Sequence, residues 1–220
     1  MPFSPLHLLL FAVVLAALVT FVQIGALTIA FEKLDLSPSS AITLLMMSLL
    51  GSLFNLPLFT VTSQAPPPSE VPPLFRGLLR GAQVPFTGKT LIAVNVGGAM
   101  VPLFFSLHLI RTADLALSLV LLGIVLVSAV CYLVSRPVPG IGIGMPVFVA
   151  PITAALIAVL LDGDQSAPLA YVCGTLGVLI GADVLRLKDV RKMGAPIASI
   201  GGAGTFDGVF ITGIVAVLLA

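Results

Sequence analysis

Long apolar runs separated by short polar, proline-rich or glycine-rich breaks occupy most of the chain. A hydrocarbon core of ~30 Å is crossed by about 20 such residues in helical form. The runs predict seven helices, over about 6–31, 40–62, 90–110, 113–134, 142–161, 167–185 and 203–220. Their fold class is therefore all-α: a polytopic transmembrane helix bundle in a single domain spanning 1–220. The breaks between helices are legible. Glu32-Lys33-Leu34-Asp35-Leu36-Ser37-Pro38 closes the first helix, and Arg136-Pro137-Val138-Pro139-Gly140 follows the fourth. Asp162-Gly163-Asp164 reads as a solvated turn, because the ligand series of a calcium loop does not follow it.

Some runs carry internal punctuation. Asn55-Leu56-Pro57 breaks the regularity of the second helix, since proline removes a backbone donor. Asn95-Val96-Gly97-Gly98 opens the third, where small residues permit close helix approach and Pro102 predicts a kink. Asn95 has two readings, an interhelix hydrogen bond or a substrate contact. The fifth helix begins with Gly142, Gly144, Pro146 and Pro151, and irregular backbone at membrane depth must face protein or a water-filled cavity. The fourth is nearly featureless and reads as a lipid-facing wall. Residues 63–89 form the longest break, extended over its prolines, then from Leu74 to Arg80 either an amphipathic piece on the membrane surface or a linker turn with solvated arginines.

Basic residues orient the bundle. The breaks after helices two, four and six hold Arg76, Arg80, Lys89, Arg136, Arg186, Lys188, Arg191 and Lys192; those after one, three and five hold Lys33 and Arg111. The positive-inside rule then places the N-terminus in the cytoplasm. The N-terminus has no basic region or small-residue cleavage site, so the first run is read as a retained helix rather than a signal peptide.

Composition agrees. Hydrophobic residues make up 59% and charged residues 9%, with mean hydropathy +1.21, where a soluble domain is nearer a quarter charged. This composition makes the lipid bilayer the chain's surroundings, and the net charge of +1 points to no nucleic-acid partner and no strongly polybasic anchor. Cys131 and Cys173 lie within apolar runs and read as small buried hydrophobes rather than a disulfide. Spacing of the zinc-binding type is lacking, and no metal or organic cofactor is expected.

Against this background two acids stand out. Asp183 lies at the end of the sixth helix and Asp207 at the start of the seventh, joined by a basic loop and the run Gly201-Gly202-Ala203-Gly204. Acids within membrane segments are costly and mark functional sites. In antiparallel helices the two carboxyls fall at similar depth, where one holds a proton and the other is ionised. The ionised group activates water and the protonated one donates to a carbonyl oxygen. Gly204, Phe206, Gly208, Pro151 and Asn95 are the candidate substrate-contacting positions. Two bland readings stand beside this one: Asp183 paired with Arg186 a turn away, and Asp207 as an acid at a helix start. A proton-coupled transporter using the same acids is the rival function.

The stretch from Ile180 to Leu219 resembles the GxGD intramembrane aspartyl proteases, the presenilin and signal peptide peptidase group. In that group one catalytic aspartate lies in a helix running to a cytosolic loop, and the other in a GxGD motif of the next helix. The resemblance implies Asp183 and Asp207 as the pair and a membrane-spanning peptide as substrate. Ala182 stands where the group usually has tyrosine, and Gly204-Thr205-Phe206-Asp207 lacks the glycine directly before the acid. Pro151 with Ala154-Ala155-Leu156 is at most an analogue of the group's Pro-Ala-Leu motif. The whole chain also resembles an uncharacterised family of prokaryotic multi-spanning proteins, through Asn95-Val96-Gly97-Gly98, the proline-rich fifth helix, and the segment Gly202 to Gly208. That likeness implies the prokaryotic inner membrane.

Overall fold

The computed structural model describes residues 11–17, 20, 25–64, 88–138, 142–202 and 208–220. From Ala26 onward the elements are α1 (Ala26–Lys33), α2 (Pro38–Gly51), strands β1 (Asn55–Thr62) and β2 (Lys89–Asn95), and a π-helical turn (Val96–Met100) that continues as α3 (Val101–Thr112). Next come α4 (Leu117–Val134), a ribbon of β3 (Arg136–Val138) and β4 (Gly142–Gly144), α5 (Val149–Leu161), and α6 (Ser166–Val178), which runs into a second π-helical segment (Leu179–Val184). A 3₁₀ turn (Asp189–Lys192), β5 (Ile197–Ile200) and α7 (Gly208–Leu219) complete the order.

α6 is the axis of the bundle. Its sequence SAPLAYVCGTLGV is apolar or small all round, and every residue except Leu176 is buried. Such a helix belongs at the centre of a bundle. It packs against α3, α4, α5 and α7. Small residues set the approach: a Cβ on Gly174 would press on Ala154 of α5 and Thr212 of α7, and one on Gly181 would run into the backbone of Ser128 on α4. α4 shows the complementary pattern. Val120, Gly123, Val127, Ser128 and Cys131 are buried at helical spacing, while Leu121, Val125 and Leu133 are exposed. That exposed aliphatic face suits hydrocarbon. Cys131 and Cys173 are free and buried.

Beside α6, Phe105 of α3 meets the edge of the Tyr171 ring at 4.9 Å. The Tyr171 hydroxyl is buried and, among the described residues, has no hydrogen-bond partner. A lone buried hydroxyl costs about 1–3 kcal/mol of desolvation. Tyr171→Phe keeps the ring contact and removes that cost. The variant is expected to be neutral or more stable by about 1 kcal/mol in thermal unfolding in detergent; a clear loss of stability would show that the hydroxyl is satisfied.

At one end of the bundle β1, β2 and β5 form a three-stranded sheet, with β1 antiparallel and β5 parallel to β2. Asn55 faces Asn95 across β1 and β2, and Val94 faces Ile200 across β2 and β5. This corrects the all-α expectation. The second predicted helix stops at Gly51 and continues as β1, and the third begins as β2. NLPLFTVT and KTLIAVN are short apolar runs, in which helix and buried strand share one hydrophobic signal. Pro57 fits because β1 is an edge strand, and the register shifts between Pro57 and Phe59.

Two further boundaries move. Gly25 takes a left-handed conformation (φ 87) before α1, so the chain does not pass through 6–31 as one helix. Gly142–Gly144 pairs with Arg136–Val138 as a ribbon, and the fifth helix starts only at Val149. Two helices, Leu117–Val134 and Ser166–Val184, are long and apolar enough to cross a membrane, or three spans if the α1–α2 pair, bent by 108°, counts as one. The remaining apolar helices are shorter, so the seven full-length spans expected from hydropathy are not what the described residues form. The amphipathic stretch from Leu74 to Arg80 lies outside the described residues.

Hydrogen bonds fix which connections share an end. Lys33 Nζ donates to Val217 O (3.3 Å) and Ser166 Oγ to Ala220 O (3.1 Å), joining the α1–α2 turn, the start of α6 and the end of α7. α6 and α7 are therefore antiparallel, and Gly208 lies toward the opposite, sheet-bearing end. α5 and α6 are joined by a short turn, which brings the start of α5, with Pro151, to that end as well.

Candidate functional site

The site is built where the sheet meets the bundle, and glycine makes it possible. The π-helical turn Val96–Met100 is wedged between α2 and the turn after β5. A Cβ on Gly97 would collide with the Ser48 carbonyl and the Ser52 amide of α2. A Cβ on Gly98 would collide with the Gly201 carbonyl. Gly201 itself has φ +78, and a Cβ there would meet Gly98 and Ala99. Three backbones therefore touch with no side chain between them.

Polar groups stitch this junction together. Asn95 is fully buried. Its Nδ2 donates to Ser52 O (2.8 Å) and Asn55 Oδ1 (3.1 Å), and its Oδ1 accepts from Gly98 N (2.7 Å). Asn55 Oδ1 accepts a second bond from Ser199 Oγ (2.6 Å), tying β5 to β1. Ser48 Oγ donates to Gly97 O (2.8 Å). Both ends of the Asn95 amide are thus engaged at the joint between the end of α2, β1 and the π-helical turn. Asn95→Ala strands a buried amide N–H and weakens three elements at once. It is expected to cost about 2–4 kcal/mol in chemical unfolding; an unchanged stability with weaker substrate binding would favour the contact role.

Asp183 joins the same junction from α6. It lies in the second π-helical segment, one residue from the end of the apolar span Ser166–Val184, and is partly buried. Its Oδ2 accepts from the backbone N–H of Gly201 at 2.7 Å. Wide π-helical turns inside helices occur frequently at functional positions. Both π segments here converge on one residue: Gly98 packs on Gly201, and Asp183 is bonded by it.

The alternative partner for Asp183 is committed elsewhere. Arg186 forms its ion pair with Asp189 (3.1 Å), donates to Tyr132 O, Ser135 O and Ser135 Oγ, and stacks over the Tyr132 ring at 4.2 Å. It caps the end of α4, where the last carbonyls of a helix need donors.

The other predicted positions are distributed unevenly. Pro151 is buried in the first turn of α5, at the sheet-bearing end. Gly208 opens α7. Asp207, Gly204 and Phe206 lie outside the described residues. Sequence reasoning did not place Gly201 beside Asp183, Gly98 against Gly201, or Ser199 beside Asn55; the paired glycines 97–98 and 201–202 are the signal that could have suggested close contact there. A separate cavity of ≈ 80 Å³ between α1 and α2, lined by Phe31, Leu36, Ala41 and Leu45 with Glu32 at its wall, belongs to the opposite end and takes no part in this network.

Residues 49–219 match the family described as protein of unknown function (DUF1614), and the chain belongs to that family. The matched region contains every residue of the junction except Ser48. No curated protein and no solved structure matches the chain.

Proposed function

We propose that this DUF1614 chain is an integral membrane aspartyl hydrolase, similar in mechanism to the GxGD proteases, that cuts peptide bonds of membrane-spanning substrates. The observation that carries the reading is the setting of Asp183. An acid at the end of a buried, π-distorted helix is held by a backbone N–H of the turn that leads directly toward Asp207. α6 and α7 run antiparallel, so Gly208, which opens α7, lies toward the end where Asp183 lies.

The chemistry assigned to the pair is acid–base. The ionised carboxyl takes a proton from water as its oxygen attacks the peptide carbonyl carbon. The protonated carboxyl donates to the carbonyl oxygen. Return of a proton to the amide nitrogen then breaks the C–N bond and releases a carboxylic acid and an amine. The hydrogen bond from Gly201 N holds one oxygen of the Asp183 carboxyl in place, which suits a positioned base. On this reading the protein sits in a prokaryotic inner membrane with its N-terminus and the Asp183 end on the cytoplasmic side.

The test is cleavage of a single-span peptide by the purified protein in vesicles. Wild type is expected to cut, and Asp183→Asn and Asp207→Asn are expected not to; normal cutting by either variant ends the proposal. A proton-coupled transporter remains the second reading, favoured by the two interrupted helices that meet beside an acid. Uptake driven by a pH gradient and lost with the same substitutions would select it.

A further inference from the structure

The two ends of the bundle differ in charge. Among the described residues, the end away from the sheet carries Glu32, Asp35, Asp114, Asp162 and Asp164 against Lys33 and Arg111. The sheet-bearing end carries Lys89, Arg136, Arg186, Lys188, Arg191 and Lys192 against Asp183 and Asp189. Both of those acids are engaged, one by Gly201 N and the other by Arg186. Lys89, Arg136, Lys188, Arg191 and Lys192 are exposed.

Most of these cations converge on the far tip of the sheet. Gln64 N donates to Arg191 O (2.8 Å), and Ser63 N to Gly88 O (2.9 Å). Thr90 Oγ1 donates to Ala195 O (2.6 Å), and Val190 and Met193 pack with Ile92 and Val61. The 3₁₀ turn therefore lies against the ends of β1 and β2, next to Lys89.

β1 grades along its length toward this tip. Phe54, the residue just before β1, and Leu56, Leu58 and Phe59 in the part of β1 beside the bundle are 63%, 45%, 53% and 51% exposed. The tip half turns to Thr60, Val61 and Thr62. A solvated edge strand normally carries charge or other protection rather than a run of open apolar side chains. The gradient is instead that of a segment passing from acyl chains to headgroups, where basic residues meet phosphate.

We propose that the sheet tip, formed by β1, Lys89 and the Lys188–Lys192 turn, is a docking surface for anionic phospholipid headgroups. The apolar half of β1 sits at acyl level and the cations at phosphate level. This rests on charge and exposure alone and does not depend on the aspartate chemistry.

The chain has no tryptophan, so Leu58→Trp gives a single reporter at an exposed position. In vesicles, brominated phosphatidylglycerol is expected to reach half-maximal quenching at a mole fraction about fivefold lower than brominated phosphatidylcholine, a factor of one well-placed cation. Added salt should narrow the gap. Combining Lys89→Gln, Lys188→Gln, Arg191→Gln and Lys192→Gln should bring the two lipids to parity, while Lys188→Arg with Lys192→Arg keeps the preference and controls for folding. Equal quenching in wild type, or a preference that survives loss of all four charges, overturns the proposal. Little quenching by either lipid places β1 in water and overturns it too. Restoration of parity by millimolar inorganic phosphate would assign the site to a free anion and not to lipid.

Discussion

Asp183→Ala and Asp207→Ala are each expected to lower peptide cleavage by at least ~10²-fold, the lower bound for loss of a positioned acid or base, while the helices still assemble. Among the described residues the bundle packs through apolar and small side chains rather than through the Asp183 carboxyl. Its axis is the apolar helix α6, and Asp183 contributes an acceptor to Gly201 N at the edge of that packing. Losing that acceptor costs about 1–3 kcal/mol if the N–H is left dry. Asp183→Asn separates the two roles, because its amide oxygen still accepts from Gly201 N but cannot take a proton from water. It should restore most of the stability and none of the cleavage. Asp189→Asn is the matched control. Its partner Arg186 keeps the carbonyls of Tyr132 and Ser135, so cleavage should survive with a stability change of about 1 kcal/mol or less. If Asp183→Asn retains activity, or if Asp189→Asn removes it, the acid–base assignment fails.

The apolar core of this chain was legible because its signal is one-dimensional. Leu117–Val134 and Ser166–Val184 are uninterrupted apolar runs, and hydropathy places both to within a few residues. The sheet was not legible for a physical reason. NLPLFTVT and KTLIAVN are as apolar as the helices beside them, and what makes them strands is each other. Asn55 lies across from Asn95, and β2 from β5, through pairings separated by 40 and by more than 100 residues. No local window contains that information. The candidate site was legible in part. Asp183 stands out as an acid in an apolar setting, and the glycine doublets announce close backbone contact. That Gly98 and Gly201 touch each other is a tertiary fact, as is the union of Ser199 with Asn55. Asn95 shows the same limit. A polar residue in an apolar run must be satisfied, yet sequence does not say whether the partner is a substrate or, as here, Ser52 and Asn55.

Gly98→Ala is expected to destabilise the protein by about 3 kcal/mol or more and to remove cleavage together with stability. The added methyl collides with the Gly201 carbonyl, which is backbone and cannot swing aside as a side chain would. Overpacking a tight contact costs about 1–3 kcal/mol when neighbours can adjust, and more when they cannot. Moving Gly201 away from Gly98 also moves the N–H that holds Asp183. Gly88→Ala provides a contrast, since Gly88 has a left-handed conformation (φ +78) that Gly98 lacks, and among the described residues nothing lies within 4 Å of an added Cβ. It should show only the conformational cost of about 1–2 kcal/mol and keep full activity. Unfolding in detergent and cleavage at a temperature where both variants are folded distinguish the cases. A folded Gly98→Ala protein with normal cleavage would mean that the contact between the β2–α3 turn and Gly201 does not position Asp183. A folded protein with impaired cleavage would place that backbone contact within the machinery that sets the acid.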